Sequence, residues 1–176
     1  MNHKKGYFFI LDAVIGLFIL FIGILLISSS YVFVQQPAQV ELLVSDVLDL
    51  LATKKIRDIN NPYGGVGGKL WNEKIITNSE NSLIQQIGQF YYYKNYDLAE
   101  NFTRNISEGI VPSQFTYELW IDDYLIYPQH PGAVHNISKK KSELLLASRK
   151  ITFGIANEST SEMWGPYKAE VFLWKR

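Results

Sequence analysis

The stretch KKGYFFILDAVIGLFILFIGILLI, residues 4–27, decides how the rest of the chain is read. From Tyr7 to Val34 the ionisable side chains are Tyr7, Asp12 and Tyr31, and every other residue is apolar, glycine or serine. As a helix this segment reaches about 42 Å at 1.5 Å per residue, enough to cross a hydrocarbon core of about 30 Å. A carboxylate at the centre of such a helix costs roughly 2.5–3.5 kcal/mol on insertion scales. Asp12 stands near one end instead, where the cost falls and a partner or water is within reach. His3, Lys4 and Lys5 precede the apolar run. The excess of positive charge places that end in the cytoplasm and the rest of the chain outside.

Three readings fit an apolar segment in this position. A permanent single-pass anchor is the simplest. A secretory signal is another, because the continuous apolar core Ala13–Ile27 is followed by Ser28-Ser29-Ser30, a small-residue cleavage site. The third follows from Lys4-Lys5-Gly6 standing directly against the apolar run, with an acid a few residues in. That arrangement resembles the class III signal peptide of type IV pilins and archaeal pilin-like proteins. The resemblance implies that a prepilin peptidase cuts between Gly6 and Tyr7, leaving the apolar helix on the mature protein. It also implies a structural rather than enzymatic role, without cofactors, among other pilin-like subunits in the bilayer. Asp12 takes the place of the family's acidic residue, as the sixth residue after the cut where the family usually has the fifth. There it is placed to pair with the freed amine of a neighbouring subunit and so set the axial register.

Beyond the apolar run, AQVELLVSDVLDLLATKKIRDI carries Val40, Leu43, Val44, Val47, Leu50 and Leu51 at helical spacing, opposed by Glu41, Ser45, Asp46, Asp49 and Thr53. This predicts an amphipathic helix over 35–60. Pro37 kinks it or opens its second half, basic Lys54, Lys55 and Arg57 suit its last turn, and Asn60-Asn61-Pro62 ends it. Leu83, Ile84, Ile87, Phe90 and Tyr91 predict a further helix capped by Ser79 or Asn81, and a short one follows over Tyr96 to Ser107. Alternation at 115–121, a turn at Asp122-Asp123, a return strand at 124–127 and alternation at 151–155 and 167–173 read as β structure. The expected fold is α+β: a long N-terminal helix, half transmembrane and half amphipathic, on a small antiparallel sheet of about four strands in a pilin-like layout. The domain plan is a cytoplasmic leader (1–6), a transmembrane helix (7–34), an amphipathic helix (35–60) and an extracellular head (61–176).

The chemistry is sparse. Seventeen basic residues balance seventeen acidic ones and cysteine is absent, so no field draws nucleic acid and no thiol chemistry is available. PYGGVGGK (62–69) has one residue too few between Gly64 and Gly68, and Leu70 where a phosphate loop needs Ser or Thr, so it reads as a flexible turn. His130 and His135, with Pro131 and Gly132 between them, lack helical ligand spacing and a nearby acid, and read as exposed loop residues rather than a metal site. Adjacent Asp122 and Asp123 would point to opposite faces of a strand and cannot form an acid/base pair. No nucleophile motif is present, and no catalytic residue is expected. Four Asn-x-Ser/Thr sequons, at Asn101, Asn105, Asn136 and Asn157, exceed the roughly one expected by chance and make an oligosaccharyltransferase a candidate partner. Asn136 and Asn157 read as polar-loop positions; Asn101 and Asn105 flank the apolar stripe of a helix. The function expected is a pilin-like subunit of a surface filament or secretion apparatus. The alternative is a single-pass anchored head that binds an extracellular ligand without polymerising.

Overall fold

The computed structural model of the chain describes residues 3–108, 110–142, 144–157 and 160–175, with side chains described for these except at 3–10, 29–41, 133 and 157. Two compact units are present, Met1–Val40 and Glu41–Arg176. Helix α1 (His3–Thr53) begins the chain, and α2 (Lys69–Asn72), α3 (Leu83–Tyr92) and α4 (Tyr96–Ser107) follow. Then come β1 (Phe115–Ile121), β2 (Tyr124–Tyr127), α5 (Ala133–Lys141), β3 (Leu145–Asn157) and β4 (Glu162–Lys175). The fold is α+β, as the sequence predicts, with one four-stranded sheet in the order β2-β1-β4-β3 and every neighbouring pair antiparallel.

Alternation along β1 and β4 gives the sheet two unlike faces. Tyr117, Leu119 and Ile121 lie opposite Leu173, Val171 and Ala169 across the ladder, and all six are buried. Helix α3 packs on β3 and β4, and α4 on α3 and β2. Phe90 and Phe102 meet edge-to-face between those helices, with centroids 5.6 Å apart. On the other face, α5 lies against β4 and covers Glu118 and Trp174. The β1–β2 turn is Asp122-Asp123, and Asp122 adopts φ 51°. It is held by Asp122 N donating to Lys168 O and Lys168 N donating to Asp122 Oδ1, each at 2.7 Å.

Within the second unit, α1 buries Val44, Val47, Leu48 and Leu51, and Asp49 pairs with Lys150 of β3. The amphipathic helix ends at Thr53 and not near Asn60. Backbone competition explains the difference. Lys55 forms an isolated antiparallel bridge with Ser82, Ile56 N donates to Asn81 O, and Leu83 N donates to Lys54 O. Those donors and acceptors are thereby lost to a continuing helix. Lys54, Lys55 and Arg57 thus lie beyond the last turn, and Lys55 and Arg57 pair with Glu80 at the surface.

The cap of α3 is Ser82 rather than Ser79 or Asn81. Gln85 N donates to Ser82 Oγ, and Ser82 N donates to Gln85 Oε1, a reciprocal capping box. The glycine-rich loop is packed rather than flexible: a Cβ on Gly64 would lie 2.5 Å from the Phe102 ring, and Asn61 Oδ1 accepts from the amides of Tyr63 and Gly64. Four elements exceed the sequence expectation: α2 is a short helix where none is expected, and β4 starts at Glu162, five residues before the alternation at Tyr167. Strand β3 starts at Leu145, six residues before the alternation at Ile151, and α5 occupies a stretch read as loop.

Candidate functional site

The N-terminal helix carries the first candidate. Leu11–Ser28 is long and apolar enough to cross a membrane, and none of its residues is buried. Exposure runs round the whole circumference: the consecutive residues Leu17, Phe18, Ile19 and Leu20, each about 100° on from the last, are 73%, 64%, 65% and 64% exposed. An amphipathic helix shields one stripe against its own core; a helix apolar all round requires a lipid or protein surround. Asp12, also exposed, is the only carboxylate in this segment. Gly6 and Tyr7 lie within α1, and their side chains are outside the described residues.

The sequons divide by environment. Asn101 and Asn105 are half-buried on α4, and Asn105 Nδ2 already donates to Asn101 O at 2.8 Å. Asn136 is exposed, but on α5 and not in a loop; the Ser138 hydroxyl of the same sequon donates to His135 O and accepts from Trp174 Nε1. Asn157 is the last residue of β3, again not in a loop, and its side chain lies outside the described set.

Under α5 the structure builds a charged cluster that the sequence does not announce. Glu118, at an alternating position expected to face solvent, is only 3% exposed. Its Oε1 lies 3.0 Å from His135 Nε2, while its Oε2 accepts from Lys139 Nζ at 2.5 Å and from Trp120 Nε1 at 3.0 Å. Burial alone raises the carboxyl pKa. The hydrogen bonds from Lys139, Trp120 and His135 outweigh it and hold Glu118 below the ordinary carboxylate range. Lys139 also lies over the rings of Phe172 and Trp174, and His135 meets Trp174 edge-to-face. His135 is therefore a partly buried helix residue with an acidic partner, contrary to its reading as an exposed loop residue. The signal available is the spacing His135–Lys139, which puts an imidazole and an ammonium on one helical face.

Beside this cluster the end of α4, the start of β1, the end of β2 and the start of α5 enclose a cleft of about 550 Å³. His130 and His135 both line it, together with Arg104 and Glu108 of the α4 end and the stacked pair Tyr117 and Tyr127, whose centroids are 4.9 Å apart. Below them Tyr117 Oη donates to Ser107 Oγ, and burial pushes the Tyr117 phenol pKa up despite that bond.

No protein-family model, curated protein or solved structure matches this chain. Among the described residues, no three His, Asp or Glu side chains gather as a metal site. The arrangement offers an apolar helix in need of a surround, and a second unit whose cleft beside α5 mixes polar and aromatic groups.

Proposed function

We propose that this protein is a type IV pilin-like structural subunit, inserted in the membrane by its N-terminal helix and assembling through it into a surface filament or secretion apparatus. The observation that supports this most is the 18-residue segment Leu11–Ser28, strongly apolar and with none of its residues buried, in a different compact unit from the α+β fold. An extracted apolar helix must be buried again, and a bundle of like helices achieves that. In this reading the cytoplasmic lysines orient the chain, a prepilin peptidase cuts between Gly6 and Tyr7, and Asp12 receives the new amine of a neighbouring subunit. The head stands outside the cell, with the exposed Asn136 more open to a glycan than the half-buried Asn101 and Asn105.

Asp12 provides the test. Asp12→Ala leaves processing and membrane insertion intact and reduces the yield of oligomers captured by cross-linking in membranes. Oligomers formed at full yield without Asp12 remove its partner role. The cleft in the head favours a second reading, an anchored binding protein that does not polymerise. The two separate on oligomer size in native membranes.

A further inference from the structure

We propose that the cleft between α4 and α5 binds a carboxylate-bearing sugar of the uronic acid class, whether or not the subunits polymerise. Its volume, about 550 Å³, lies in the range of small-molecule sites and leaves room for one or two sugar rings. The donors on its wall are partly unspent. Arg104 uses one Nη2–H on Glu100, at 2.8 Å, and its remaining N–H groups have no partner among the described residues. His130 is exposed and has no hydrogen-bond partner among them either. A guanidinium takes a planar carboxylate through two parallel hydrogen bonds.

Glu108 sets the charge of the ligand. It lines the same cleft as an acceptor-only carboxylate, so it repels a doubly charged phosphate while accepting hydrogen bonds from sugar hydroxyls. Half-buried Tyr127, backed by the buried Tyr117 that stacks on it, and the rigid Pro128 and Pro131 supply a largely apolar wall suited to the C–H face of a ring. One cationic fork, one free imidazole, one opposing acid and an aromatic wall together select a singly charged, hydroxylated ring. Neither a neutral sugar nor a phosphate uses all of these groups. Because Arg104 is more than half exposed and its charge is shared with Glu100, affinity per ring is modest, and repeated rings on a polymer would raise it.

The test uses the full chain in detergent micelles, titrated with a galacturonate trisaccharide, a glucose trisaccharide and inorganic phosphate, and followed by calorimetry and by backbone amide shifts. The galacturonate trimer is expected to bind at sub-millimolar to millimolar concentration and to shift amides of residues 104–108 and 127–135. The glucose trimer should bind at least about tenfold more weakly, and phosphate should leave those amides unmoved. His130→Ala, at an exposed position, and Arg104→Ala should each weaken galacturonate binding about tenfold, while Glu108→Gln should let phosphate in. Equal binding of the neutral trimer, equal binding of phosphate, no binding up to ~10 mM, or binding unchanged in His130→Ala would each overturn the proposal.

Discussion

Replacing Gly88 with alanine sets two effects of opposite sign against each other. In the middle of α3, alanine is favoured over glycine by about 1 kcal/mol on helix propensity alone. The structure opposes it: a Cβ at Gly88 would lie 2.6 Å from both Cη2 and Cζ3 of Trp164. That ring is 2% exposed and has little room to retreat. A Cβ at Gly154 of β3 would stand 2.6 Å from its Cζ2, and Tyr167 stacks on it with centroids 5.8 Å apart. Overpacking a site of this kind costs about 1–3 kcal/mol, and a contact an ångström too short belongs at the upper end. Gly88→Ala should therefore destabilise the head by about 2 kcal/mol net, a fall in Tm of about 8 °C for a unit of this size. Thermal unfolding of the full chain in micelles, followed by far-ultraviolet circular dichroism, measures it. Trp164→Phe removes the offending ring edge, so the double variant should be more stable than the two single losses added together, by about 1 kcal/mol or more. A Gly88→Ala protein as stable as the parent, or strictly additive losses, would refute the slot.

Two further outcomes follow from the head. Because Glu118 is held below the ordinary carboxylate range in the folded protein, its contribution is present above the unfolded pKa of about 4.3 and is lost as pH falls through the folded value. Glu118→Gln should lose about 2–3 kcal/mol at pH 7, below the usual cost of breaking a buried pair because Lys139 keeps some water, and its Tm should fall less steeply than the parent's between pH 5 and 3. An unchanged acid slope would remove Glu118 as its source. For the sequons, intact-mass analysis should show Asn136→Gln losing one glycan and Asn105→Gln losing none, since Asn105 Nδ2 is committed to Asn101 O. A glycan on Asn105 would contradict this.

Where local pattern and tertiary packing agree, the elements were legible in the residues. The alternation of Phe115–Ile121, the turn at Asp122-Asp123 and the stripe of Tyr96–Ser107 correspond to β1, the hairpin and α4 as observed. Legibility failed where long-range partners decide. The end of α1 depends on a bridge from Lys55 to Ser82, twenty-seven positions away, which no helical pattern contains. The first half of helix α5 after Ala133 is Val134, His135, Asn136, Ile137 and Ser138, all of modest helix propensity, and much of its anchorage is the charged cluster on Glu118. Glu118 itself occupies a polar slot in an alternating strand, and only a helix arriving from residues 133–141 turns that slot into a buried site. Leu48, fully buried, widens the apolar face beyond the stripe of Val40, Leu43, Val44, Val47, Leu50 and Leu51 by one position. The cleft is lined by two stretches close in sequence, 104–117 and 127–135, and the β1–β2 hairpin between them folds one back on the other, so no helical or strand spacing within either announces it. By contrast, the membrane candidate was plain from composition, since an apolar run of that length has few alternative fates.

Whether α1 is processed and retained as an assembly helix, as we propose, is decided by the N-terminus of the protein extracted from native membranes. Terminal sequencing with intact-mass measurement should find Tyr7 as the first residue, with the apolar segment still attached. A chain beginning at Met1, or one beginning near Tyr31 with that segment gone, would contradict the account.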